Sequence, residues 1–470
     1  LAALGHFNPE NIVPNPIPNP EDGTVDIEYQ LEEKANDQLE VSGGWGAGMF
    51  VGTIGLRFSN FSTRRMLDPK AWRPVPTGDG QTLSLRAQSN GRYYQSYNMT
   101  FVEPWFGGKK PNSFSFSLFH QKINETRGSY YFQNLRELNK SKEYMKISGG
   151  SIGLGRRLKW PDDFFTLYNE LSYQRYRLND YFDYFQVGEN QFLDDGAFNL
   201  LSFNTTLSRN SQDQPIYPRR GSNFSVGVQL TPPWSLFKED RFWEISESEA
   251  EIIRGDLLSR KPSASIAEQN EAVSDAELAE KFRLVEHHKW TVKGSWFQRI
   301  FDDLVIMTKS EFGFKGYYNR DIGSSPFEGY QVGGDGPGYG RFGVETIGLR
   351  GYENYSLTQH QVSQPGSTVG RTQRRYANIY NKYTIELRYP FTLSPSASIY
   401  GLLFVEVGNV WYDLNTFNPF IVKRSAGFGI RAFLPMFGML GIDWGYGFDD
   451  IPYNPGKNGG QFHFVLGQQF

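Results

Sequence analysis

Apolar and polar residues alternate with a period of two along most of the chain, from about residue 38 to its end. In one segment, Tyr383, Ile385 and Leu387 alternate with Thr384 and Glu386. Because successive side chains of a β-strand point to opposite faces, the pattern predicts strands with one apolar and one polar face. Sixteen such segments lie at about 38–47, 51–61, 81–90, 95–104, 113–122, 144–158, 164–178, 197–210, 222–232, 288–299, 302–316, 375–391, 397–411, 423–434, 438–448 and 460–470.

The polar faces of these segments carry more charge than the dry core of a soluble sandwich accepts. A barrel with an apolar, lipid-facing outside and a wet lumen accommodates both faces. The connections alternate largely between short and long, which is typical of outer-membrane barrels with short periplasmic turns and long outer loops. We therefore predict an all-β, sixteen-stranded antiparallel transmembrane β-barrel over 38–470, with both of its ends on the periplasmic side. A soluble all-β protein is the less favoured alternative.

The pattern of the first 37 residues differs from that of the rest of the chain and predicts a small α+β segment. Leu1 to Leu4 fit the end of a helix that stops at Gly5, and an alternating strand is expected from Thr24 to Glu33. This piece is too short to form a core of its own. The chain starts abruptly without a signal peptide, so we interpret it as a fragment or mature portion of a longer protein.

Composition excludes several classes of function. The formal net charge of -3 does not indicate a basic surface for binding nucleic acid. Because the chain contains no cysteine, it forms no disulfide. No apolar run reaches the roughly 18 residues of a membrane helix.

The adjacent His287 and His288 would point to opposite faces of a strand, which is a poor arrangement for a metal. No catalytic or nucleotide-binding fingerprint is present, so we predict neither an enzyme nor a cofactor.

The long connection 233–287 is charged and partly helical in pattern. Ser274 and Glu277 have the spacing of a capping box ahead of Leu278, which predicts that a helix begins there. We interpret the connection as a solvated extracellular excursion in preference to a partner-binding lid.

The second long connection, 317–374, contains a glycine-rich segment at 326–352. A loop of this length is usually functional or disordered, and its aromatic residues favour folding against another part of the chain. Near its end stand Leu349, Arg350, Gly351 and Tyr352.

Glycine is concentrated in the two strands that would close the barrel. The residues concerned are Gly43, Gly44, Gly46 and Gly48 near the first strand, and Gly460 and Gly467 in the last strand, which ends at Phe470. Glycine weakens a strand through backbone entropy and lost side-chain packing. One interpretation is that these glycines relieve crowding at bends. The other is a lateral seam, between the first and last strands, that can open sideways.

Several motifs in this order resemble the BamA family of outer-membrane assembly factors and its wider superfamily, which includes TamA and the two-partner-secretion transporters. The tetrapeptide at 349–352 is similar to the V-R-G-F/Y motif of the sixth extracellular loop in that family. The others are EPWF at 103–106, YPRRG at 217–221, EVGNVW at 406–411, an aromatic-ending β-signal at 464–470 and, at 1–37, a tail resembling the last POTRA domain.

The resemblance implies a protein that folds and inserts β-barrel proteins into the bacterial outer membrane without nucleotide hydrolysis. It implies as partners unfolded outer-membrane clients, accessory lipoproteins, periplasmic chaperones and the lipid bilayer. It also implies that the loop folds back into the lumen, where Arg350 would pair with acids on the barrel wall. Glu386, Glu406 and Asp443 lie on polar faces of nearby strands and are the candidates.

The sequence departs from the family pattern in three places. A glutamate, Glu406, fills the aspartate position, the 233–287 insertion is longer than usual, and so is the connection at 66–80. The closest alternative function is a two-partner-secretion or translocation-and-assembly transporter of the same superfamily. A passive porin or surface receptor is the alternative from another class.

Overall fold

The computed structural model describes most of the chain. The described residues are 13–19, 23–30, 37–46, 49–72, 74–91, 94–108, 112–124, 143–179, 181, 185, 187, 191, 193–334, 344–362, 371–374, 376–394, 397–434, 438–452 and 459–467. No helix in this part of the chain is long and apolar enough to cross a membrane.

A short hairpin precedes the main sheet. It consists of β1 (Val13–Asn19) and β2 (Thr24–Gln30), which pair in an antiparallel sheet of their own. The side chains of β2 are exposed, as expected for a strand without a core of its own. The predicted helix end at residues 1–4 lies outside the described residues, and assignment of 1–37 to a POTRA domain stays a prediction.

The main sheet contains sixteen antiparallel strands, as predicted. Eleven of them precede the loop: β3 (Gln38–Gly46), β4 (Met49–Phe61), β5 (Gln81–Ser89), β6 (Tyr94–Glu103), β7 (Asn112–Asn124), β8 (Tyr144–Arg157), β9 (Phe165–Asn179), β10 (Gly196–Asn210), β11 (Arg220–Leu230), β12 (His288–Phe301) and β13 (Leu304–Gly316). The loop carries β14 (Gly329–Val332), β15 (Val344–Ile347), β16 (Gln359–Val362) and β17 (Arg371–Arg374). The remaining five are β18 (Ile379–Ser394), β19 (Ala397–Trp411), β20 (Lys423–Leu434), β21 (Gly438–Gly447) and β22 (Gly460–Gly467).

Each strand pairs with its neighbours in chain order, and β13 pairs with β18 across the loop. The largest difference from the predicted bounds is at β18, which begins at Ile379 and not at residue 375. The reason is that Ala377 exchanges two backbone hydrogen bonds with Tyr330 of the loop, at 2.9 and 3.0 Å. Ala377 therefore pairs with the loop, whereas Asn378 already bonds to the wall, where it donates its N–H to the Trp411 carbonyl and accepts from the Lys315 N–H.

Burial along the strands is inverted relative to a soluble protein. On β18 the apolar Ile385 and Leu387 are exposed, whereas Thr384 and Glu386 are buried. On β19 Leu403 is 60% exposed although Glu406 is 2% exposed. A sheet that buries its charges and exposes its apolar side chains fits a lipid-facing outside and a polar inside.

The sheet curls around the loop to form the barrel. The ring of Phe327, in the loop, lies 4.7 Å from Tyr176 of β9 and 4.9 Å from Phe198 of β10. Further along the loop, Tyr330 lies 4.6 Å from Tyr380 of β18. Because one loop touches walls that are distant in the strand order, the sheet surrounds it and the loop fills part of the lumen.

The 233–287 insertion contains two helices, α1 (Glu247–Arg260) and α2 (Ile266–Phe282). The helix start predicted from Ser274 is wrong, because α2 begins two turns earlier. There the Ser265 side chain accepts from the Glu268 backbone N–H at 3.3 Å, and the Glu268 carboxylate accepts from the Ser265 N–H at 2.7 Å. Ser274 therefore lies in the middle of the helix.

One end of this insertion is also packed into the barrel mouth. Leu278, Phe282 and Val285 share a buried cluster with Phe198. The segment after α2 adds to β10, where Asn199 exchanges backbone bonds of 2.9 Å with residues 283 and 285. The insertion is thus more than a solvated excursion, because its last part closes against the wall at the end with the long connections.

Candidate functional site

Arg350 lies at the centre of a buried charge cluster between the loop and the barrel wall. Its Nη2 donates to Glu386 Oε1 at 2.6 Å and to Glu406 Oε1 at 2.8 Å, and its Nη1 donates to Asp443 Oδ2 at 3.2 Å. The Arg350 backbone N–H also donates to Glu406 Oε2 at 2.8 Å. The three candidate acids, on β18, β19 and β21, therefore all contact the one guanidinium. Charge-assisted contacts of this kind are directional, so they fix the position of the loop as well as its charge.

Each of these acids has a second cationic partner on the wall. The pairs are Lys382 with Glu406 at 3.1 Å, Arg388 with Glu386 at 2.7 Å and Arg431 with Asp443 at 2.5 Å. Three carboxylates thus face four cations, counting Arg350. The acids are therefore held in place by the wall itself, and the loop arginine completes a site that is already organised.

The aromatic ring of Phe404 supports the guanidinium from one side. The Arg350 Cζ lies 3.7 Å from the centroid of this ring, which is a cation–π contact. Burial on its own would lower the pKa of Arg350, but the carboxylates of Glu406 and Glu386 outweigh it and raise the pKa above the usual value. The arginine is therefore held as a cation.

The glycine after the arginine permits a close approach to the wall. Gly351 has a φ of 86° and donates its N–H to His463 Nε2 of β22 at 2.8 Å. A Cβ at this position would lie 2.8 Å from the carbonyl carbon of Tyr446, so a side chain does not fit. The next residue, Tyr352, donates its hydroxyl to the Arg424 carbonyl at 2.7 Å. The tetrapeptide thus contacts β20, β21 and β22 in addition to β18 and β19.

The opposite side of the loop carries acids that face a basic wall. Glu345 of β15 pairs with Lys293 and lies 3.7 Å from Lys289, both on β12. Glu328 lies 3.5 Å from Lys289. A polar cavity of about 380 Å³ adjoins this contact and is otherwise lined mainly by β9, β10 and β11. The loop thus presents a cation to the carboxylates of β18, β19 and β21 and carboxylates to the lysines of β12, so the charges on both of its sides meet opposite charges on the wall.

The described glycines of the predicted seam lie in the first and last strands of the main sheet, and their role as a seam stays a prediction. Gly43, Gly44 and Gly46 belong to β3, and Gly460 and Gly467 belong to β22. Gly48 and Phe470 lie outside the described residues.

Sequence reasoning missed the wall cations, Phe404 and His463. The sequence does carry a signal for the two cations of β18. Every second residue of a strand points to the same face, so Lys382 and Arg388 share the face of Glu386. Among the described residues, no group of three or more acidic or histidine side chains has the arrangement of a metal site.

Comparison with known proteins identifies the family. The Omp85 superfamily domain matches residues 77–470. The fold is similar to BamA from Haemophilus ducreyi lacking POTRA domains 1–3, with a TM-score of 0.59 and 17% identity over 98% of this chain and 76% of that chain. It is also similar to CdiB from Escherichia coli, with a TM-score of 0.55 and 10% identity over 98% of this chain and 68% of that chain. No curated relative matches the chain by sequence.

At these identities the two structures show a shared fold only. Omp85 proteins with this barrel reside in outer membranes, in agreement with the exposed apolar faces of the strands. The match over 77–470 confirms the resemblance inferred from the motifs. The chain belongs to the Omp85 superfamily.

Proposed function

We propose that the protein is an outer-membrane insertase, which folds and inserts β-barrel proteins through a seam between β3 and β22. The observation that carries the proposal is the place of these two strands. Among the described residues they are the two ends of the sixteen-strand order, and both contain glycine. Within the part of the chain that the structure describes, β22 has eight residues, whereas β18 has sixteen. A seam between them would join two glycine-containing strands at the two ends of the sheet, β3 and β22.

A strand at the end of a sheet offers N–H and C=O groups to another chain. A client strand that pairs with β3 would extend the sheet by β-augmentation. The glycines lower the cost of separating β3 from β22, because they remove side-chain packing at the seam. Folding of the client and burial of its apolar surface in lipid supply the free energy, so no nucleotide is required.

The loop anchor gives this seam a defined position. Gly351 binds His463 of β22, and Arg350 binds Asp443 of the neighbouring β21. Both contacts hold the last strands against the interior of the barrel. In this proposal the loop is a positioning element that sets the edge on which clients assemble.

The short-turn end, and with it the hairpin of β1 and β2, would face the periplasm. There it would meet unfolded clients, chaperones and accessory lipoproteins. A two-partner-secretion or translocation-and-assembly transporter would use the same barrel differently, by moving a protein segment across the membrane.

Reconstitution tests the proposal. The purified protein is placed in lipid vesicles, and a urea-unfolded outer-membrane barrel is diluted into them. An insertase raises the yield of folded, heat-modifiable client above that of empty vesicles. An unchanged yield contradicts insertion. Passage of a soluble segment into the vesicles without insertion would instead identify a transporter, and steady ion conductance alone would identify a porin.

A further inference from the structure

The connection between β4 and β5, residues 62–80, is a folded loop at the short-turn end of the barrel. It is longer than a turn between neighbouring strands requires, and its contacts tie it together. The Ser62 N–H donates to the Pro76 carbonyl at 2.8 Å, and the Thr77 N–H donates to the Ala71 carbonyl at 3.1 Å. Thr63 donates its N–H to the Gln81 side chain at 2.8 Å, which fixes the loop to β5. The exposed side chains of this loop are therefore held outward by an ordered backbone.

The loop exposes three large apolar side chains. Leu67 is 97% exposed, Met66 is 52% exposed and Trp72 is 50% exposed. The Trp72 indole N–H donates to the Met66 carbonyl at 3.3 Å, so these residues lie next to each other. Single exposed apolar residues are common, but three within one ordered loop indicate a surface that contacts something apolar.

The charges of the loop indicate what that surface meets. Among the described residues of the loop, the basic Arg64, Arg65 and Lys70 are exposed and outnumber the acids Asp68 and Asp79. The two carboxylates accept hydrogen bonds from the Lys70 N–H and the Ser62 hydroxyl. Tryptophan together with basic residues is the composition of a segment at the boundary between lipid tails and headgroups.

The place of the loop in the fold agrees with this composition. It continues strands whose outward side chains, such as Ile54 and Leu85, form the lipid-facing band. Other exposed aromatic residues lie at the same end of the barrel, among them Trp105, Trp160 and Phe301. A belt of this kind marks the edge of the bilayer.

We propose that the 62–80 loop docks onto the phospholipid surface at the short-turn end of the barrel. Leu67, Met66 and Trp72 enter the boundary layer, and the basic side chains bind anionic headgroups. Because the loop follows β4, which pairs with β3, it holds the bilayer beside the first strand. The inference requires only that the barrel spans the membrane, so its test is independent of insertase activity.

The test uses the fact that the chain contains no cysteine. An environment-sensitive fluorophore is attached to Leu67→Cys, and the protein is reconstituted into vesicles of equal parts phosphatidylcholine and phosphatidylglycerol. We expect blue-shifted emission, quenching by nitroxide-labelled lipid and protection from iodide. Gln214→Cys, in an exposed turn at the same end of the barrel, is the matched control and should be quenched by iodide only.

The charge contribution is measured with Arg64→Gln and Lys70→Gln in the labelled protein. Each basic residue near an anionic surface contributes roughly fivefold to binding. Each substitution should therefore reduce the ratio of docked to undocked loop by about that factor, and vesicles of phosphatidylcholine alone should show a larger loss, because they remove the contributions of all the basic residues together. Iodide quenching at position 67 equal to that at position 214 overturns the proposal and points to a protein partner. Docking that is indifferent to both charge and lipid overturns the anionic-headgroup part.

Discussion

At the scale of single residues, Arg350 joins the loop to three strands at once. Removing it by Arg350→Ala leaves Glu386, Glu406 and Asp443 with their second cations, so none of these acids becomes isolated. We therefore expect a loss of about 3 kcal/mol in the free energy of unfolding, at the low end for breaking a buried ion pair. Arg350→Lys should recover only part of it, because an ammonium group cannot match three carboxylates with a planar fork.

Urea unfolding in vesicles measures both variants. Arg320→Ala, an exposed arginine of the same loop, is the control and should change stability by less than about 0.5 kcal/mol. Equal effects at 350 and 320 would show that the charge cluster contributes nothing to stability.

The neighbouring glycine allows backbone conformation to be separated from space. Gly351 and Gly323 have similar φ angles, 86° and 76°, but a Cβ on Gly323 would meet no atom within 4 Å. Gly323→Ala should cost about 1 kcal/mol from backbone strain alone. Gly351→Ala should cost clearly more, because its methyl group collides with Tyr446 and displaces the tetrapeptide. Thermal unfolding and protease sensitivity of the loop report the difference. Similar values for the two variants would refute the close-approach argument.

At this scale the sequence predicts which acids share a face, but not the whole site. Strand alternation places Glu386, Glu406 and Asp443 on polar faces, and all three contact Arg350. The same alternation places Lys382 and Arg388 there, yet it gives no distances between strands. Which cation pairs with which acid depends on strand register and on the curvature of the sheet, and these are set by contacts far apart in the chain.

At the scale of elements, α2 contains a carboxyl group whose ionisation opposes its packing. The Asp275 side chain is exposed to solvent on one side, but partial desolvation against the rest of the insertion, followed by the nearby charges of Asp194, Glu271 and Asp195, raises its pKa from 3.8 to about 6. In the unfolded chain Asp275 ionises first, so the folded insertion loses stability as the pH rises from about 4 to 6, and the loss persists above that range. Asp275→Asn should remove this dependence.

Hydrogen exchange of residues 266–282 at pH 5 and pH 7.5 measures the effect. The wild-type helix should be less protected at the higher pH, and the asparagine variant should be equally protected at both after correction for the intrinsic rate. Glu251→Gln, on the exposed α1, is the control and should retain the wild-type dependence. A pH dependence that survives Asp275→Asn would mean that another group is responsible.

Strands were easier to predict than the elements between them. Alternation is a local property, so the bounds of β19 and β20 agree with the sequence to the residue. The predicted start of β18 is wrong because Ala377 pairs with the loop. The residues around Ala377 carry no local signal for that contact. In the insertion, serine–glutamate pairs have capping-box spacing at 246–249, 248–251, 265–268 and 274–277, and this local spacing does not distinguish the pairs at 246 and 265, which cap α1 and α2, from the others.

At the scale of the whole molecule, the proposed function requires that β3 separates from β22 at the seam. β3 and β22 run in opposite directions, so Gly44 and the start of β22 belong to one end of the barrel, and Glu40 and the end of β22 belong to the other. Cysteine pairs that join Gly44 to Gln461 or Phe462, or Glu40 to Val465, would therefore lock the seam without crossing the barrel. The absence of native cysteine leaves these pairs as the only thiols.

We expect the oxidised seam pairs to abolish insertion of an unfolded client into vesicles, and reduction to restore it. The control is a lock across a central ladder, Ser151→Cys with Ser172→Cys, at positions that face each other on β8 and β9. This lock restrains the barrel but leaves the seam free, so activity should persist after oxidation. Because both locks add one disulfide, a general stiffening of the barrel would inhibit both variants equally. Full activity of every seam-locked variant would instead require clients to enter the membrane without separation of β3 from β22.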